Sequence, residues 1–201
     1  ILIEASRKNN ATFMEAFMYR THPQTQKIRE IIKEYFLEEP LEIEASFGFE
    51  ANVPQEHRLV NPELGGGSIL DIGCYPMSMS RMIVGIQEGK SFSNPVDIKS
   101  KGTLSEKNVD LYAEASLDFA NGSKAFISSS ISKSLPNKVT IENTKSKLEV
   151  FEPWRCGEDI GRKSLMTLTH NGKLEEIEFS ESIGIFTFEI NHFSETFLDG
   201  L

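Results

Sequence analysis

Between residues 85 and 179 the chain carries no helical repeat and becomes a succession of short alternating segments, and that succession limits the fold more than anything else in it. Residues 96–104, 109–119, 124–131, 138–142, 147–151, 165–170 and 173–179 each read as a strand. Asn121-Gly122 and Asn171-Gly172 predict tight hairpins, because both central positions of a type I′ turn need positive φ. Consecutive hairpins make an antiparallel sheet with one face to be covered by helices and the other open. Residues 41–49 have the same one-sided character: Leu41, Ile43, Ala45, Phe47 and Phe49 alternate with Glu42, Glu44, Ser46 and Gly48.

The helical material lies on either side of this block. Residues 24–36 repeat apolar side chains at helical intervals (Ile28, Ile31, Ile32, Tyr35) until Glu38-Glu39-Pro40 stops them. A second helix is predicted over 69–84, ending at Gly85, with Pro76 marking a kink or the start of its regular part. A third covers 183–198. At the N-terminus the tail of a helix (Leu2, Ile3, Ala5) breaks at Lys8-Asn9-Asn10 and is followed by a predicted strand over 12–18. The expected class is α+β: an open, mostly antiparallel sheet with helices packed on one face.

Composition removes several functions. The 201 residues hold 21 basic and 30 acidic side chains, net −9, with no Lys/Arg run, which disfavours nucleic acid as a partner. No apolar run approaches the ~20 residues a membrane span needs, and no basic region precedes an apolar leader. Cys74 and Cys156 form no C-x-x-C pair, so a reducing cytoplasm is expected. His57, His170 and His192 are too scattered for a metal site, and none is expected. Both ends of the chain read as cut.

The stretch with chemical content is Leu64-Gly65-Gly66-Gly67-Ser68-Ile69-Leu70-Asp71-Ile72-Gly73-Cys74-Tyr75-Pro76. The triplet lacks the spacing of phosphate-binding glycine loops and reads as a tight turn opening a helix. On that helix Asp71 and Tyr75 are i and i+4, which puts a carboxylate beside a phenol. A carboxylate can orient a tyrosine hydroxyl or tune its pKa, and the tyrosine can then exchange a proton with a substrate oxygen. The same spacing also suits a half-buried structural pair.

The segment from Glu15-Ala16-Phe17-Met18-Tyr19-Arg20 to Thr21-His22-Pro23-Gln24, then Arg58, then Pro62-Glu63-Leu64 leading into the glycine motif, resembles the glucose-fructose oxidoreductase / inositol dehydrogenase / rhizopine-catabolism (Gfo/Idh/MocA) family, in the branch with tyrosine in the D-x-G-x-Y position. The resemblance implies an oxidoreductase acting on a sugar, polyol or related alcohol/carbonyl compound with NAD or NADP. It implies that residues 1–20 are the end of a nucleotide-binding Rossmann domain and 21–201 a substrate and oligomerisation domain. Tyr75 would then be the proton donor or acceptor, with Asp71 orienting it or the substrate. Arg20, His22 and Arg58 would lie on the substrate side, and Met18 and Arg20 at the cofactor's edge.

Each of these residues has a plainer reading. Tyr75 can pack on the sheet, Asp71 can sit at a helix N-terminus, Arg20 can make an ordinary ion pair, His22 can cap a turn, and Arg58 can be a solvated loop arginine. The family's E-K-P segment, whose lysine pairs with the tyrosine, would precede Ile1, so these 201 residues alone are expected to be inactive. The open sheet face is expected to bury against a second copy. A chain of this fold that binds a metabolite or serves assembly without turnover is the alternative, since fold does not fix function.

Overall fold

The computed structural model describes residues 1–156, 161 and 163–198. Among these described residues are four α-helices, α1 (Leu2–Lys8), α2 (Pro23–Tyr35), α3 (Cys74–Gln87) and α4 (Ile185–Leu198). Eight strands accompany them: β1 (Glu42–Gly48), β2 (Asp97–Leu104), β3 (Asp110–Asp118), β4 (Lys124–Ser130), β5 (Lys138–Glu142), β6 (Ser146–Phe151), β7 (Ser164–His170) and β8 (Lys173–Phe179). They form one open sheet in the order β2-β3-β4-β1-β5-β6-β7-β8. All neighbours are antiparallel except β1 and β4, which run parallel. This is the α+β class expected from the alternation.

Register explains why one face is buried. Ile43 lies between Ala125 and Ile141, Ile141 faces Leu148, and Leu148 faces Leu168, so one apolar row crosses five strands. A second row joins Ile127, Ala45, Val139, Val150 and Met166. Onto these rows α2 sets Ile28, Ile31 and Ile32, and α3 sets Met79, Met82 and Ile83, all almost wholly removed from water. Each such side chain contributes roughly 1.5–3 kcal/mol of transfer free energy. The other face carries Glu44, Ser46, Phe126, Ser128, Lys138, Thr140 and Glu149, with Lys–Glu pairs along it. A one-residue slip in any strand would exchange the two sets.

Three local expectations change. Residues 12–18 form no strand: an extended segment leads into a tight turn over Met18–Thr21, and Phe13 and Met14 stay exposed. A strand needs a hydrogen-bonded neighbour, and among the described residues none of the eight runs beside this one. Helix α3 passes through Gly85 to Gln87. Gly85 is there for close approach, since a Cβ on it would stand 2.5 Å from Phe92 Cα. The Asn171-Gly172 turn has φ of 48° and 77°, as a type I′ turn requires, but at the other hairpin only Gly122 is positive, at 86°. There the Phe119 N–H bonds to the Ser123 carbonyl and the loop has three residues.

The regular part of α3 begins at Cys74, directly after a π-type turn over Ile69–Gly73. That insertion is of the kind that marks functional positions in helices. It places the Asp71/Tyr75 motif at the irregular end of an otherwise buried helix.

Candidate functional site

The glycine triplet delivers the chain to this turn. Gly65 is left-handed (φ 70°) and ends a short turn over Pro62–Leu64, and Gly66 has backbone where a Cβ would be, 2.9 Å from the Arg58 carbonyl oxygen and from Asn61. The close approach brings Arg58 over the following turn, where its guanidinium donates to Asp71 Oδ1 at 2.6 Å. Asp71 is partly buried and Arg58 largely exposed, so the carboxylate is held and the arginine side remains accessible. Arg58, expected on the substrate side, and Asp71, expected to orient the tyrosine or the substrate, are therefore brought together.

Tyr75 is half-buried at the rim of an aromatic cluster. Its ring centroid lies 5.3 Å from Phe17, 5.4 Å from Phe47, 5.7 Å from Tyr19 and 6.1 Å from Trp154. Trp154 is fully buried, stacks on Phe47 and donates its indole N–H to the Ser46 carbonyl at 2.8 Å, the loop-to-sheet anchor of this cluster. The Tyr75 hydroxyl donates to the Met18 sulfur at 3.3 Å. Burial, first, and then the charges of Cys74 and Asp71 push its pKa up to about 12. The charge of Asp71 reaches Tyr75, but each is hydrogen-bonded elsewhere, Asp71 to Arg58 and Tyr75 to Met18.

Arg20 lies on the far side of Phe17. Its guanidinium sits between the rings of Phe17 (4.5 Å) and Phe92 (4.9 Å) and donates to Ser78 Oγ, which also accepts the Tyr19 hydroxyl at 3.0 Å. Its Nε is buried with no partner among the described residues. Arg20 and Phe17 line a cleft of about 680 Å³ with Arg29, Phe188 and Glu189.

His22 departs from expectation. It is fully buried, its Nδ1 accepts the Gln24 N–H at 3.1 Å as the N-cap of α2, and its ring packs against Phe179 and Phe188. Burial pushes its pKa down to about 4. A neutral capping imidazole with no exposed surface has the plainer of the two roles read for His22, that of a cap. Its position before a proline at a helix start was the signal for a cap.

Two further features were not legible. Met18 meets Tyr75 only because the tight turn after Phe17 carries it there, and Asp110 reaches the start of the π turn from β3. Among the described residues no group of three or more His, Cys, Asp and Glu side chains converges as a metal would require. No helix among the described residues is long and apolar enough to cross a membrane.

Residues 25–149 match the model of the GFO/IDH/MocA C-terminal domain, and the chain belongs to that family. Among curated relatives, a trans-1,2-dihydrobenzene-1,2-diol dehydrogenase from Xenopus tropicalis is 32% identical over 204 residues, spanning 100% of this chain and 58% of that protein. A D-xylose 1-dehydrogenase [NADP(+)] from Haloarcula marismortui is 25% identical over 208 residues, spanning 98% of this chain and 54% of the relative. Among solved structures, the aldose-aldose oxidoreductase from Caulobacter crescentus complexed with glycerol superposes with a TM-score of 0.83 at 21% identity, covering 99% of this chain and 57% of that one. A 3-ketoreductase from Actinomadura kijaniata in complex with NADP and TDP-benzene gives 0.80 at 20% identity, covering 99% and 58%. The chain thus spans little more than half the length of the relatives it matches.

Proposed function

We propose that this chain is the substrate-side part of an NAD(P)-dependent oxidoreductase of CH–OH groups on a sugar, polyol or diol, with Tyr75 as the proton-carrying residue. In this reading residues 1–20 belong to the nucleotide-binding side. The observation that carries it is the state of the Tyr75 hydroxyl, half-buried at a cluster's rim and donating only to a thioether. A sulfur is a weak acceptor, so a substrate oxygen can replace it at little cost. A phenol wedged structurally would be expected to keep a stronger partner.

The raised pKa gives the hydroxyl a direction. It stays protonated at neutral pH and is set to donate to a carbonyl oxygen that becomes an alcohol. Removing the proton in the reverse sense needs a cation beside it, the part that the resemblance gives to a lysine of an E-K-P segment. Asp71, held by Arg58, presents its remaining acceptor capacity to a substrate hydroxyl.

A nicotinamide, when bound, supplies the hydride acceptor or donor. The residues present fit one edge of such a ring: the Phe17 and Met18 side chains give an apolar wall beside Tyr75, and the Nε of Arg20 is buried with no partner among the described residues. The sequence contains no glycine-rich phosphate-binding turn of the dinucleotide type, so the 201 residues alone are expected to show no turnover. Relatives named as diol and NADP-dependent xylose dehydrogenases support the substrate and cofactor classes.

The open sheet face, with Lys–Glu pairs and an exposed Phe126, is the surface on which a second copy would pack, and two free cysteines accord with a reducing, cytoplasmic setting. Light-scattering mass at several concentrations tests the first point; a strict monomer removes it. The function itself is tested by assaying the intact protein with NAD and NADP against sugars, polyols and diols. Nicotinamide turnover that depends on Tyr75 supports it, and none with any substrate refutes it.

A further inference from the structure

Asp110, the first residue of β3, lies against the N-terminal end of the π turn. Its Oδ2 accepts the Ile69 N–H at 2.7 Å and the Ser68 hydroxyl at 2.8 Å. Ser68, fully buried, has its Oγ 3.1 Å from that of Ser129 on β4, also buried. The other end of the turn meets the same serine, since a Cβ on Gly73 would stand 2.9 Å from Ser129 Oγ. Gly67 has φ 126°, and a Cβ there would be 2.1 Å from Asp110 Oδ1, so this glycine admits the carboxylate. Two adjacent strands therefore grip both ends of a five-residue turn.

A π turn holds one residue more than the α-helical turn it interrupts and is intrinsically less favourable. Left free, it would return to α geometry and rotate everything before Cys74 by about one residue's worth, near 100°, relative to α3. Asp71 lies before that point and Tyr75 after it. A carboxylate accepting two hydrogen bonds at a helix N-terminus, where the dipole favours negative charge, supplies the restraint.

We propose that Asp110 is a positioning residue which, through Ser68 and the Ile69 N–H, holds the π turn and so sets the angle between Asp71 and Tyr75. The catalytic consequence rests on the function proposed above; the positioning itself does not.

The test uses the intact protein with Asp110→Ala, Asp110→Asn and Ser68→Ala. Three readouts are taken: kcat and KM, hydrogen exchange over 69–73, and the side-chain ¹³C resonance of Tyr75, assigned by its loss in Tyr75→Phe. Asp110→Ala is expected to displace the resonance, speed exchange over 69–73 and lower kcat about 10–100-fold, the scale of a small misplacement of reacting groups. Asp110→Asn, which keeps an acceptor, should recover part of all three. Should Asp110→Ala not fold, Ser68→Ala, which removes one of the two hydrogen bonds, must show the same changes in smaller measure. Lower thermal stability with resonance, local exchange and kcat unmoved overturns the proposal. A displaced Tyr75 resonance in a protein whose turnover ignores Tyr75→Phe keeps the positioning role and discards the proposed function.

Discussion

The Arg58 guanidinium donates to Asp71 Oδ1 across 2.6 Å and so ties the loop before the glycine triplet to the turn after it. Arg58 is 65% exposed and Asp71 17%, so the pair itself adds little stability, below about 1 kcal/mol. Its effect is to aim a carboxylate. Arg58→Ala in the intact protein is expected to change unfolding free energy by less than that amount while kcat/KM falls about tenfold, a loss of one oriented polar contact. Denaturant unfolding and steady-state kinetics on the same preparation separate the two effects.

Tyr75→Phe removes a hydroxyl and leaves the ring in the Phe17, Phe47 and Trp154 cluster. The expected result is a protein with unaltered Trp154 fluorescence and turnover reduced about 10²–10⁴-fold, the usual contribution of a general acid or base. Full activity in the variant would move proton transfer to another group.

His22 couples the α2 cap to acidity. Its folded pKa of about 4 lies below the ordinary histidine value, so between roughly pH 6.5 and 4 the unfolded chain binds the proton that the folded chain refuses. Stability is therefore complete above pH 6.5, declines as pH falls and levels off below 4, with up to about 3 kcal/mol at stake. His22→Asn keeps a capping acceptor without titrating, and should flatten this part of the pH profile in urea unfolding. A slope unchanged by the substitution would assign it to other groups.

Gly85→Ala opposes two effects. Alanine inside a helix gains about 1 kcal/mol of propensity over glycine, but its Cβ would lie 2.5 Å from Phe92 Cα, where the chain folds back on α3. Forcing the backbone apart costs about 1–3 kcal/mol, so net destabilisation is expected in thermal unfolding. A more stable variant would show that residues 88–92 can move aside.

The two thiols should differ in reactivity. Cys156 is 1% exposed and burial pushes its pKa up to about 12, whereas Cys74 is half-buried beside a groove lined by Leu70, Met77 and Ile98, with its pKa raised less severely. Iodoacetamide at pH 7.5 is expected to modify Cys74 slowly and Cys156 only after unfolding. Peptide mapping over time reads this directly.

Strands β4 to β7 were legible to within one or two residues because a half-buried strand must alternate, and α2 because its apolar side chains recur at helical spacing. The short apolar run over 12–18 misled, for apolar character does not record the presence of a neighbouring strand. Asp71 and Tyr75 were visible as a motif, but the π turn that sets their mutual angle was not, since side chains spaced for i+4 give no sign of an i+5 turn. Contacts joining distant segments, Met18 with Tyr75 and Asp110 with Ile69, depend on where the fold brings those segments, which no local pattern encodes.

The position of β1 has a consequence for how the molecule is made. It is the first of the eight strands in chain order, yet its neighbours are β4 and β5, with Glu42 opposite Lys124 and Glu142. The meanders β2-β3-β4 and β5-β6-β7-β8 can each zip locally, but they become a single sheet only when this early segment is inserted between them. At translation rates of ~5–20 residues per second, Ile43, Ala45 and Phe47 leave the ribosome roughly 4–16 s before β4 exists to shelter them. Kinetic control of folding yield should therefore reside in the capture of this strand, and chaperones that bind short apolar stretches have their natural target there.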